Sequence, residues 1–272
     1  MPNPTATLTE YNAAQETLFG FYNGLAADLT DQQMGAQSLC PDWSVRDVMT
    51  HTIGVDHMLT GWTPSTETPP PFDRFAAYQA EMDGLDRNGF NARIAEMTAA
   101  RIAELHTYDA NIITMPSFTP AGLGTYAGML QIRVMDMWVH AHDISIPLGL
   151  PTGTDALPHS GFVAETALQE IEDAVGYIVG KKIGLPDGKS IVFKIRGGVE
   201  RDIGVVVDGR AAAVDAATVT APDAEITTDV MTFVMLAAGR IDPQEQIDAG
   251  TITWSGDAEW GETAARNLAY TR

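Results

Sequence analysis

Gln131-Ile132-Arg133-Val134-Met135-Asp136-Met137-Trp138-Val139-His140-Ala141-His142-Asp143-Ile144 decides how the rest of the chain is read. Its apolar residues, from Ile132 through Trp138 to Ile144, mark a buried helix. Arg133, Asp136, His140 and Asp143 recur three or four residues apart, which puts all four on one face. Charged groups on an apolar helix are costly to desolvate unless they pair or hold a metal. Asp136 and His140, at i and i+4, suit shared ligation of one cation, and a third ligand must come from another segment.

The segments before it are also helical. Residues 8–28 carry an apolar stripe (Leu8, Tyr11, Leu18, Tyr22, Leu25) behind a cap at Thr7 or Thr9. Thr30-Asp31 begin a turn. Ser44 and Asp47 form a capping box that opens a helix to about residue 59. Its inward face holds Val48, His51, Thr52, Val55, Met58 and Leu59, so His51 stands in an apolar stripe, while His57 lies off that face and is read as exposed. Residues 63–72 form a loop around Pro64, Pro69, Pro70 and Pro71. Helical patterning resumes at Asp73, breaks at Asn88-Gly89 and returns over residues 91–106. Residues 111–123 read as irregular. The helix quoted above spans about 125–145 and stops at Pro147-Leu148-Gly149. Four substantial helices predict an up-and-down bundle over residues 1–150, and bundles build metal sites between facing helices.

After a linker at Leu150-Pro151-Thr152-Gly153 the pattern changes. Residues 162–178 read as a helix, and 190–196 and 202–208 as adjacent β-branched strands bounded by glycine. Residues 216–228 are weaker strand, 229–238 helix, 251–254 strand and 257–269 helix. The expected fold is therefore a two-domain α plus α/β chain, with a small α+β domain over residues 151–272.

Composition narrows the partners. The 272-residue chain carries 36 acidic and 16 basic residues, a formal net charge of −20, which disfavours nucleic acid and anionic membrane surfaces as partners. No apolar run approaches the roughly 20 residues a membrane span needs. The opening residues show no basic segment followed by an apolar stretch, so no secretion signal is expected. Cys40 is the single cysteine, which rules out an intrachain disulfide and fits a cytoplasmic location.

His51, Asp136 and His140 are the candidate ligands. Two imidazoles and a carboxylate with an open position form a catalytic zinc set, equally suited to iron(II), nickel or cobalt. The plainer readings are a core histidine at His51 and a hydrogen-bonded Asp136–His140 pair. Arg133 either pairs with Asp136 or stands at the site mouth to hold a substrate carboxylate. Asp143 is either an acceptor for a ligand imidazole or a polar residue near the helix end. His142 faces the opposite side and is structural. His106 and His159 are surface residues by default, Cys40 reads as a small buried hydrophobe, and Trp43 and Trp138 as core aromatics.

Cys40-Pro41-Asp42-Trp43-Ser44-Val45-Arg46-Asp47-Val48-Met49-Thr50-His51 resembles the first signature of mycothiol-dependent maleylpyruvate isomerase-like proteins. Asp136-x-Trp138-x-His140-x-x-Asp143-Ile144 resembles the second. Residues 228–240 and 252–257 are similar to the family's C-terminal domain. The resemblance implies a DinB-like four-helix bundle that binds a divalent metal, zinc first, through His51, Asp136 and His140. It also implies a sterol-carrier-protein-like C-terminal domain, and mycothiol or a similar small thiol as cosubstrate. The implied activity is thiol-dependent isomerisation or S-transfer on a small electrophile such as maleylpyruvate; from its place on the polar row, Arg133 is the catalytic candidate to hold a substrate carboxylate. The family's isomerases carry Glu where this chain has Asp136; a shorter carboxylate still ligates zinc, but the departure weakens the transfer of the isomerase activity. A thiol-independent metal hydrolase and a non-catalytic small-molecule binder are the alternatives, and the oligomeric state is left open.

Overall fold

Small polar side chains start most of the helices, because each holds N–H groups that lack intrahelical partners. In the computed structural model, which describes residues 5–271, Thr7 and Glu10 close a capping box at the head of α1 (Leu8–Asp28). The first four residues, which enter the reading of a missing secretion signal, lie outside the described residues. Thr30 and Gln33 form the same box on α2 (Asp31–Met34), a helical turn where the sequence suggests only a bend. Ser44 and Asp47 do so on α3 (Val45–Leu59), as their spacing predicts. The proline run then leads into α4 (Phe72–Asp83) without a side-chain cap. Asp86 caps α5 (Arg87–Leu105) by accepting from the Gly89 N–H. The break expected at Asn88-Gly89 therefore falls earlier, at Gly84-Leu85, and Asn88 and Gly89 join the first helical turn.

The segment expected to be irregular carries an antiparallel hairpin, β1 (Pro116–Thr119) and β2 (Gly122–Thr125). Its Phe118 N–H donates to the Ser65 carbonyl at 2.8 Å, tying the hairpin to the proline loop. Thr125 then caps α6 (Tyr126–Leu148), which ends at Gly149 in the left-handed conformation that glycine adopts without strain. α1 packs on α5 and α6, and α3 packs on the same two, so α1 and α3 lie on a diagonal of a four-helix bundle. Leu18, Phe19 and Tyr22 of α1, Met49 and Ile53 of α3, Ile94 of α5 and Trp138 of α6 fill its centre. α4 lies against α3 where Gly54 has no side chain; a Cβ there would stand 3.0 Å from the Phe75 ring.

The chain divides into two compact units between Pro158 and His159. The second begins with α7 (Gly161–Tyr177), extended by a π-helical turn over Ile178–Ile183. The remaining elements are β3 (Ser190–Ile195), β4 (Arg201–Asp208), β5 (Arg210–Val214), β6 (Ala224–Thr228), α8 (Val230–Ala237), α9 (Pro243–Ala249), β7 (Ile252–Gly256) and α10 (Ala258–Arg266). They build one mixed sheet in the order β5-β4-β3-β6-β7, with β3 and β6 parallel and the other neighbours antiparallel. Register places Ile203 and Ile226 on either side of Phe193, and the Phe193 ring meets Phe233 of α8 at 5.3 Å. The opposite face is polar, with Lys194 paired to Glu225. β5 and α9 were not expected from the sequence. Among the described residues no helix is long and apolar enough to cross a membrane.

α10 closes on β7 through Gly261, where an added Cβ would fall 2.2 Å from the Trp254 ring. Gly261→Ala is expected to cost about 1–3 kcal/mol through overpacking, read as a lower denaturation midpoint. An unchanged midpoint would show that Trp254 can move aside without loss.

Candidate metal centre

The turn before α3 sets one side of the centre. Trp43 N–H donates to the Cys40 carbonyl at 3.2 Å across Pro41-Asp42, and Asp42 takes a φ of +63°. Aspartate tolerates this left-handed position better than most side chains. The Leu39 N–H bonds the backbone carbonyl of Asp143 at 3.0 Å, which fixes the turn to α6. The Trp43 ring consequently lies 4.8 Å from the His51 ring and 6.2 Å from the His140 ring. Trp43 is half-buried at this site, so its reading as a plain core aromatic is corrected; Trp138 is fully buried, as expected.

α6 supplies the polar row that its spacing predicts. His140 Nδ1 lies 2.9 Å from Asp143 Oδ2, and His140 Nε2 lies 3.4 Å from Asp136 Oδ1. With Nδ1 donating to Asp143, the Nε2 lone pair is directed to the Asp136 side. The His51 and His140 rings are 5.1 Å apart. One ligand-type atom from each of His51, Asp136 and His140 lies within 4.8 Å of the other two. Cys40 is buried, as expected, but it is more than a filler. Its Sγ donates to Asp143 Oδ2 at 3.1 Å and lies 3.7 Å from His140 Nδ1, so Asp143 holds both groups.

A buried charge chain continues from Asp136 through the bundle. Arg133 pairs with Asp136 through Nη1, and through Nη2 with Asp56 Oδ2 at 2.7 Å and the Thr52 carbonyl at 3.1 Å. Asp56 Oδ1 lies 3.7 Å from Arg101 Nε, and Arg101 Nη1 meets Glu104 at 2.7 Å. Burial works against the charge on Arg133, but Asp56 and Asp136 outweigh it and keep the guanidinium protonated. Burial likewise pushes the Asp136 carboxyl up, yet His140, Arg133 and His51 outweigh that and hold it below the usual carboxylate range.

Asp56, Arg101 and Glu104 were missed in the sequence. The signal was present: Asp56 follows Thr52 by four residues and Arg101 follows Ile94 by seven, both on apolar stripes. His57, expected to be exposed, is half-buried and stacks on Tyr78 at 4.8 Å. His142 is buried against Trp138, and His106 is exposed beside Glu16.

Counted through Asp143, the chain sets four carboxylates (Glu104, Asp56, Asp136, Asp143) against two guanidiniums. A divalent cation among His51, Asp136 and His140 would balance the remaining two negative charges. The donor set, two imidazoles and a carboxylate, is one that zinc accepts. These residues therefore fit a metal.

A cavity of about 390 Å³ opens on His51, Arg133 and Asp136. Its other walls are mostly apolar: Val55, Met58 and Leu59 of α3, Phe72 at the head of α4, Met129 and Ile132 of α6, and Pro69, Pro70, Phe118 and Pro120 from the two tied loops.

Residues 18–145 match the family described as "Mycothiol maleylpyruvate isomerase N-terminal domain". The match lies within the first of the two compact units. Two uncharacterized proteins of Mycobacterium tuberculosis (strains CDC 1551 / Oshkosh and ATCC 25618 / H37Rv) are each 26% identical over 136 residues. The aligned part is 49% of this chain, and the chain spans 65% of the length of these relatives. Crystal structures of the mycothiol-dependent maleylpyruvate isomerase and of a histidine-to-alanine mutant share the fold. Each superposes with a TM-score of 0.58 at 15% identity, over 92% of this chain and 93% of that one. The segment that carries the mycothiol maleylpyruvate isomerase N-terminal domain contains every residue of the charge chain and both histidines of the candidate centre.

The charge chain makes a direct prediction. Asp56→Ala leaves two buried guanidiniums undercompensated and is expected to cost about 3–5 kcal/mol in urea unfolding. A loss below about 1 kcal/mol, the ordinary value of an exposed pair, would mean the network is not buried in solution.

Proposed function

We propose that the chain is a metal-dependent, small-thiol-dependent enzyme whose centre lies at His51, Asp136 and His140. The reading assigns residues 1–150 to a DinB-like metal-binding bundle and 151–272 to a sterol-carrier-protein-like domain. The observation that carries it is the approach of three ligand-type atoms, from two helices, to within 4.8 Å of one another beside a mostly apolar cavity.

Each side chain has a task in this reading. His51, Asp136 and His140 hold the cation. Asp143 fixes the tautomer and rotation of His140, and Cys40 donates to the same Asp143 oxygen. Arg133 acts through Asp136, turning one carboxylate oxygen toward itself while the other faces His140. Trp43 covers the imidazoles, and the cavity walls exclude water from the reacting carbon. When bound, zinc or a similar cation supplies the Lewis acidity that keeps a small thiol, mycothiol by family, deprotonated at neutral pH. Two outcomes follow for an electrophile in the cavity: release after rotation about a conjugated double bond makes an isomerase, and retention of the carbon–sulfur bond makes an S-transferase.

Metal analysis tests the ligands. The wild-type protein should carry about one divalent ion per chain, and His51→Ala and His140→Ala less than about a tenth of that, since each removes one of three protein ligands. Full occupancy in both variants would exclude the set. Asp143→Asn should retain the ligands but weaken metal affinity by about 10–100-fold in chelator competition. Consumption of an electrophile only when a thiol is supplied supports the reaction class, whereas ester turnover without thiol assigns a hydrolase.

A further inference from the structure

The cavity beside the centre contradicts the simplest expectation about its substrate. A small dicarboxylate needs a cation with charge to spare. Among the described residues Arg133 is the one basic side chain of the lining apart from His51, and its guanidinium already meets two carboxylates and a backbone carbonyl. Asp136, one of those two carboxylates, itself belongs to the lining. A divalent ion would bring the charge chain to neutrality, and a thiolate beside it would make the site net negative. An incoming carboxylate would then meet repulsion at the centre and an apolar wall elsewhere. Desolvating it there has no compensating partner.

The rest of the lining favours the opposite chemistry. Val55 and Met58 of α3 and Met129 and Ile132 of α6 line the cavity, and Phe118 and Phe72 come from the hairpin and the head of α4. We propose that this cavity selects a neutral electrophile with an apolar body, an aromatic ring or short alkyl chain, and discriminates against small dicarboxylates. The apolar body lies among Val55, Met58, Met129 and Ile132, and the polar, electrophilic end points to His51 and Asp136. This inference rests on the proposed centre for the direction of the substrate, but its selectivity is a property of the cavity walls.

Unreactive probes test it by isothermal titration calorimetry on the full chain, with metal content measured on the same preparations. The probes are neutral 4-phenylbutan-2-one, anionic 4-phenylbutanoate and maleate. The neutral ketone should bind at least about tenfold more tightly than the phenylbutanoate, and maleate should show no saturable binding. Ile132→Trp and Val55→Trp, which fill the cavity from different helices, should each weaken ketone binding by about tenfold, in protein whose circular dichroism is native. Maleate or phenylbutanoate binding as well as the ketone overturns the proposal, as does unchanged ketone binding in both folded variants. Preference for the ketone by a protein that takes up no metal upholds this selectivity and removes the metal reading. Preference for carboxylates by a metal-loaded protein upholds the centre and removes the selectivity.

Discussion

Asp56, buried between Arg101 and Arg133, is the constraint on which the bundle depends. One carboxylate on α3 engages guanidiniums on α5 and α6, so three helices share a single electrostatic arrangement. Apolar packing tolerates a helix that slides or rotates slightly, because one methyl group replaces another at little cost. Opposite charges in a dry interior allow no such slippage, since every displaced partner is left without water or counter-charge. Each helix is thereby held in one register, and His51 is brought against His140 as a result.

α6 does two jobs with one amphipathic pattern. Val134, Met137, Trp138 and Ala141 bury one side in the bundle, while Arg133, Asp136, His140 and Asp143 form a polar seam. In a solvent-facing helix such a seam would be ordinary. Here Arg133, His140 and Asp143 are buried, so the seam is stable only because each member is answered by another: Arg133 by Asp56, His140 by Asp143, and Asp143 by Cys40. Structure and site are the same set of contacts at different distances from the cavity.

Local rules made the seam legible in the sequence. Three- and four-residue spacing placed Asp136 and His140 together, and the Ser44–Asp47 box set the helix phase that turns His51 inward. What was not legible depends on partners far away in the chain. Arg133 offered two readings until Asp56 was seen beside it. Trp43 and Cys40 reach the site only because Asp42 accepts a positive φ and Leu39 binds the backbone of α6. β5, with its Ala211-Ala212-Ala213 run, has little strand preference of its own, and its ladder with β4 supplies the missing drive. In each case the deciding energy comes from an interaction between elements, which no window of the sequence contains.

The hydrogen bond from Phe118 to Ser65 links two loops that both wall the cavity. A bond of this kind makes the proline segment and the hairpin a single panel. Residues as distant in sequence as Pro70 and Pro120 therefore belong to one wall, and the cavity's boundary depends on a contact that neither loop makes alone.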